Sequence, residues 1–168
     1  MPNAHPPHRQ EPNASADDRA RMVELALNGE RHLIPSRLEV ERGGVTYTID
    51  TVRELADRFP GQPFELLLGA DAAERVRGWH RAGELLAEAW FVIFNRPGTM
   101  VDAASVAALG FDPVRTRIVK LSTPEISAHR IRERLAHGES IDDMVPAAVA
   151  GYIRSRHLYA APSAGQLG

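Results

Sequence analysis

Residues 125–134 read Glu-Ile-Ser-Ala-His-Arg-Ile-Arg-Glu-Arg. Their types and spacing suit a phosphate site. A short loop follows an apolar run, Ser127 stands where a helix would begin, and Arg132 falls in its second turn. Unpaired backbone N–H groups at a helix start attract anions, and the helix dipole adds to the attraction. A guanidinium nearby can grip a phosphate with two parallel hydrogen bonds. The same residues also describe an ordinary capped helix with solvated arginines, and spacing alone favours that plainer reading.

Other positions carry similar double readings. Asp71 follows an apolar run through Gly69; an acid at that place accepts ribose hydroxyls, or merely caps the next helix. Trp79 and His80 open another helical segment, where an indole either stacks on a ligand ring or covers core. Thr48 either lends a backbone N–H to a carboxylate or caps a helix. His5 and His8 lie in a Pro-rich opening, without the further ligands that zinc requires. Neither a GxGxxG nor a Walker A sequence occurs, so the two commonest Gly-rich nucleotide motifs are excluded.

Three apolar runs predict the strands that would hold these residues: Phe64–Leu68, Trp90–Phe94 and Arg117–Leu121. The first two read as strands covered on both faces. Leu33–Val40 has strand character broken by Pro35, so it is expected to be an edge strand or irregular. Helices are predicted from the Ser15/Asp18 capping pair onward, from Thr48 as N-cap, over 71–77, 81–89 and 103–109, from Ser127, and from Pro146 as first helical residue. Strands alternating with helices imply an α/β fold with a parallel central sheet. In such sheets ligands gather at the carboxyl ends of the strands. Gly69–Asp71, Asn95–Pro97 and Ser122–Arg132 all follow a strand end.

The composition sets the class. The chain has 168 residues, 43% apolar and 25% charged, which is ordinary globular usage. Twenty Lys and Arg stand against 22 Asp and Glu, for a net charge of -2. That balance gives no support to nucleic-acid binding. Without cysteine, disulfides, thiolate nucleophiles and Cys-type metal sites are excluded. No apolar stretch approaches the roughly 20 residues that cross a bilayer, and the opening has no signal-peptide core. A cytoplasmic protein without membrane partners is expected.

Taken in order, the motifs are more specific than any one alone. PPHR (6–9), YTIDT (47–51), LGAD (68–71) with Trp79, RPG (96–98), IS-A-x-x-IR (126–132) and VP…YI…LY (145–159) follow one another. The series closely resembles bacterial nicotinate-nucleotide adenylyltransferase, over residues 1–159. The resemblance implies a Rossmann-like nucleotidyltransferase fold and one domain over 1–159, followed by a disordered tail, 160–168. It implies transfer of the adenylyl group of ATP to nicotinate mononucleotide, giving deamido-NAD and pyrophosphate. Magnesium is implied on the triphosphate rather than in a protein cage, and a homo-oligomer is left open. Trp79 matches the residue that stacks on the nicotinate ring, and Thr48 and His80 match the positions whose amides receive its carboxylate. Asp71, with Gly69, matches a nucleotide-site acid. His8 and Arg9 match a phosphate pair, Arg96 a residue near the ATP pocket, and Ser127 and Arg132 the second phosphate motif, with Arg132 as the catalytic cation.

Two departures stand out. His129 replaces a threonine that normally faces the phosphates. The family's opening strand and its GGTFDPxHxGH sequence are absent from the chain as written. The expectation is a sheet missing its first strand, a start codon placed too late, and negligible turnover without the upstream segment. Two other readings compete. Pantetheine-phosphate adenylyltransferase shares a related phosphate motif, but YTIDT, LGAD and Trp79 point away from it. A catalytically dead nucleotide- or partner-binding fragment would keep the surface and lose the chemistry.

Overall fold

The computed structural model describes residues 14–95, 100–121 and 126–159. The chain divides into two compact units: residues 47–125 form one, and residues 1–46 with 126–168 form the other.

The 47–125 unit is built on a parallel sheet. Its strands are β1 (Glu65–Gly69), β2 (Trp90–Asn95) and β3 (Thr116–Lys120), in the order β1-β2-β3. Leu66 lies opposite Phe91 and Leu68 opposite Ile93, which in turn lies opposite Ile118. Strand side chains alternate between faces. These residues therefore share one face, where they meet the core of Ile49, Val76, Leu85, Val106 and Phe111. Phe91 and Phe111 pack edge to face, 4.9 Å between centroids. The other face of β1 is open: Leu67 is 65% exposed. The expectation of a strand covered on both faces is corrected there: the Leu66 and Leu68 face meets the core, and the Leu67 face lies open.

Helices α3 (Thr48–Arg58), α4 (Ala70–Ala73), α5 (Ala82–Glu88) and α6 (Ala103–Ala108) belong to this unit, with a 3₁₀ turn at Val76–Gly78. The apolar stripe of α3 includes Ile49, fully buried, with Val52 packed on the same core. Its cap position is held by Tyr47 in extended conformation, with no side-chain cap bond. Thr48 is thus the first helical residue, and its predicted capping role is corrected.

The second unit carries α1 (Ala16–Ala26), α2 (Leu38–Arg42), α7 (Ala128–Ala136) and α8 (Ala147–Ser155). No strand forms over 33–40. Residues 33–37 have no regular structure, and Leu38 begins a short helix that buries it and ends at Gly43, φ 67°. Pro35 cannot donate to a ladder, and Leu, Glu and Arg favour a helix. Pro146 is the N-cap of α8 rather than its first residue. Its φ of -55° fits either place, but its ψ of 145° is extended.

Asp18 ties the two ends of this unit together. It completes the capping box with Ser15, accepting from the Ser15 hydroxyl at 2.7 Å, and it accepts from the Tyr152 hydroxyl of α8 at 2.8 Å. The Ser15 and Tyr152 hydrogen bonds hold its carboxyl below the usual 3.8, against the opposing effect of burial. A depressed native pKa contributes stability that is fully present above the unfolded value and is lost as pH falls through the native one. Asp18→Ala should cost about 2 kcal/mol in denaturant unfolding at neutral pH, as expected when hydrogen bonds to a charged acceptor are lost. Asp18→Asn should flatten the acid limb of the stability curve below pH 4, which pH-dependent unfolding will show.

Candidate active site

β1 ends at buried Gly69, which is the N-cap of α4. Asp71 therefore sits in the first turn of α4, immediately beyond the carboxyl end of the strand. Its carboxylate does not cap the helix. It accepts from Arg75 at 3.1 Å on an exposed surface, and such pairs contribute little to stability. The acid remains open to a ligand hydroxyl.

The 3₁₀ turn leads into Trp79, whose amide donates to Val76 at 2.9 Å. The indole is half-buried and packs on the core of the unit. Two readings of Trp79 meet here, since one part of the ring serves the core. His80 follows, exposed, and its ring stacks on Tyr47 with centroids 3.9 Å apart and planes 24° apart. The N-terminus of α3 and the 79–80 turn are therefore neighbours. Among the described residues, the backbone N–H groups of Thr48 and His80 have no hydrogen-bond partner. An unpaired Thr48 amide is what a first helical residue has by default. That of His80 is at the second position of the turn closed by the Ala82 amide on the Trp79 carbonyl at 3.2 Å, exposed, where an N–H likewise has no protein partner by default.

Arg81 comes next, in the left-handed region at φ 51°. Non-glycine residues held there cost free energy and persist where the surroundings fix them. Here they do so through ion pairs. Arg81 reaches Glu84 at 2.7 Å, and Arg53 of α3 reaches Glu84 at 2.7 Å and Glu88 at 2.9 Å. The Arg81 and Arg53 hydrogen bonds bring the Glu84 carboxyl down to about 2. This network pins α3 to the start of α5, beside Trp79 and His80.

Ser127 and Arg132 lie in the other unit. Ser127 is the N-cap of α7, its hydroxyl accepting from the Arg130 amide at 3.2 Å. The capping expectation holds. Arg132 is exposed, and among the described residues its side chain has no hydrogen-bond or ion-pair partner. His129 is exposed in the first turn of the same helix. His8, Arg9 and Arg96 lie outside the described residues. The structure thus groups Thr48, Gly69, Asp71, Trp79 and His80 in one unit, with Ser127 and Arg132 together in the other.

Comparison with known proteins decides the family. Residues 1–134 match the cytidylyltransferase-like family. A protein of Geobacillus thermodenitrificans named "probable nicotinate-nucleotide adenylyltransferase" is 35% identical over 96% of this chain and 71% of its own length. One of the same name from Bordetella pertussis is 38% identical over 95% of this chain and 80% of its own. The chain belongs to the nicotinate-nucleotide adenylyltransferase family. A solved structure, Plasmodium falciparum nicotinic acid mononucleotide adenylyltransferase complexed with NaAD, superposes with a TM-score of 0.70 at 22% identity, covering 87% of this chain and 75% of that one. The fold is the Rossmann-like nucleotidyltransferase fold.

Nucleotidyltransferases of this family use a divalent metal. Among the described residues of this adenylyltransferase, no three His, Asp or Glu side chains gather as a metal site requires. No helix among the described residues is long and apolar enough to cross a membrane.

Sequence reasoning missed three contributors to the site. Tyr47 stood in the YTIDT motif without a role. Arg81 carried no sign of its backbone conformation. The Arg53–Glu84–Glu88 network joins residues more than 30 positions apart, and no local pattern announces such a contact. The network makes a direct prediction. In carbon-detected NMR titration, the Glu84 carboxyl should titrate at about 2, well below the usual 4.5. Arg81→Met should move its midpoint back up toward that ordinary value. Its ion pairs should accordingly survive acidification until pH falls through about 2.

Proposed function

We propose that this chain transfers the adenylyl group of ATP to nicotinate mononucleotide, forming deamido-NAD and releasing pyrophosphate, in the cytoplasm. The observation that carries the reading is the neighbourhood of Trp79: a half-buried indole beside two unpartnered amides, those of Thr48 and His80. An indole face suits a pyridinium ring, and two unpaired N–H groups in neighbouring segments suit a carboxylate. The ordered motifs and the curated relatives support the same assignment.

In this reading the mononucleotide phosphate attacks the α-phosphorus of ATP in line. One P–O bond forms as the bond to the bridging oxygen of the β-phosphate breaks, and pyrophosphate leaves with both its phosphorus atoms. No enzyme-bound covalent intermediate is formed. The protein contributes positioning and charge stabilisation. Arg132, which has no partner among the described residues, neutralises phosphate charge together with the N-terminal amides of α7 behind Ser127. Asp71, at the end of β1 with Gly69, accepts a ribose hydroxyl. His8, Arg9 and Arg96 complete the nucleotide contacts by their place in the motifs. The second substrate is the magnesium complex of ATP, with the ion carried by the phosphates. The reading assigns residues 1–159 to one adenylyltransferase domain.

The test is pyrophosphate release and dinucleotide formation from the magnesium complex of ATP, with nicotinate mononucleotide or with 4′-phosphopantetheine as acceptor. Product with the first acceptor supports the reading. Product with the second alone, or no binding of nicotinate mononucleotide, overturns it. Within the active enzyme, Trp79→Ala should raise KM for nicotinate mononucleotide roughly 5- to 150-fold, the range that base–aromatic stacking supplies. KM for ATP should change by much less, as steady-state kinetics with each substrate varied will show.

A further inference from the structure

We infer that Tyr47 is a positioning residue for the pyridine nucleotide, acting through the ring of His80. This deepens the function proposed above and rests on it. The two rings stack face to face, 3.9 Å between centroids. Their backbones differ in how firmly they are held. Tyr47 is fixed: its carbonyl accepts from the Asp50 and Thr51 amides at 3.1 and 3.2 Å, and its ring packs on the core. His80 is exposed, follows a 3₁₀ turn, and precedes a residue in the left-handed region. Among the described residues its imidazole makes no hydrogen bond or ion pair. The stack on Tyr47 is therefore the described contact that fixes the ring of His80.

The consequence concerns the two amides. The Thr48 N–H belongs to the residue after Tyr47, and the other N–H belongs to His80 itself. One ring pair therefore sets the distance and angle between two donors that come from separate elements. Removing the stack leaves both donors in the molecule but lets one of them swing. A preorganised pair binds a carboxylate better than the same two groups free to move, because the ordering cost is met before the ligand arrives. Tyr47 need not touch the ligand to act this way. The ion pairs of Arg81 hold the far side of the same turn, and the Ala82 amide closes it on the Trp79 carbonyl at 3.2 Å, so the stack sets the finer orientation of His80 within it.

The experiment uses the full 168-residue chain and measures binding of nicotinate mononucleotide and, separately, of the magnesium complex of ATP by titration calorimetry. Tyr47→Leu keeps apolar packing on the core but removes the stack; Tyr47→Phe keeps the ring. Tyr47→Leu should raise the Kd for nicotinate mononucleotide about five- to tenfold, the scale of one aromatic stack, and leave the Kd for ATP unchanged. Tyr47→Phe should restore wild-type binding. His80→Ala, at an exposed position where folding is not at stake, should weaken binding as Tyr47→Leu does. The His80 ring protons should be shifted upfield in the wild-type NMR spectrum and return to ordinary positions in Tyr47→Leu. Wild-type affinity in both Tyr47→Leu and His80→Ala, or a parallel loss of both ligands, overturns the positioning role while the proposed function stands. A wild-type chain that does not bind nicotinate mononucleotide overturns the proposed function and this inference with it.

Discussion

Parallel hydrogen bonding between β1, β2 and β3 is the constraint from which the site follows. Parallel strands cannot be joined by a hairpin; each pair needs a crossover. Here α4, the 3₁₀ turn and α5 cross from β1 to β2, and α6 crosses from β2 to β3. Every strand therefore ends on the same side. Gly69, Asn95 and Lys120 are delivered to one edge of the sheet, though far apart in sequence. Asn95 shows how that edge is kept in order. Its side-chain amide is buried, donates to the Val101 carbonyl at 2.9 Å and accepts from the Val101 amide at 2.9 Å. A buried polar group that would otherwise be costly is paired through both its Nδ2 and its Oδ1. The same edge carries Asp71 into the first turn of α4.

What the sequence made legible is what local chemistry decides. The Ser15–Asp18 box, the Ser127 cap and the three strands were readable because each rests on neighbouring residues or on an apolar run. The errors share a cause. Phe64–Leu68 was read as covered on both faces because an apolar run does not say whether its strand is central or at an edge, and Leu67 proves exposed. Leu33–Val40 was read as an edge strand or irregular; residues 33–37 are irregular, but the helical turn that buries Leu38 was not foreseen. Thr48 was assigned the cap by residue type, while the backbone placed Tyr47 there. The site was legible only as an ordered set of motifs. Its supporting contacts, the Tyr47–His80 stack and the Arg53 network, join elements distant in sequence and leave no periodic trace.

The proposed recognition by backbone amides gives the support around the turn a purpose. A side chain donor can adjust its rotamer to a ligand, whereas a backbone N–H points where φ and ψ send it. A site that uses the Thr48 and His80 amides can tolerate different side chains at those positions, but it depends on the conformation of both segments. The charges around the turn fit that demand. Arg81 and Arg53 share Glu84, so the left-handed residue and α3 are held by the same carboxylate. Exposed pairs contribute little to global stability. Their effect here is local, on the geometry of one turn rather than on the fold.

The second unit reaches the same end by packing. It is assembled from both ends of the chain: Tyr152 in α8 donates to Asp18 in α1, 134 residues away. Ile131 and Leu135 of α7 pack against its core at the i, i+4 spacing of one helical face. Arg132, one residue after Ile131, is thereby turned off that face and is exposed. The apolar spacing that anchors α7 thus also sets the direction of its arginine, and the Ser127 cap fixes where the helix begins. A phosphate contact built in this way needs no side-chain network of its own: the core orients the guanidinium, and the helix start supplies the amides. The pyridine side of the proposed site, with its stacked rings and shared carboxylate, has no such helix face to rely on, which is why its order must come from contacts between separate elements.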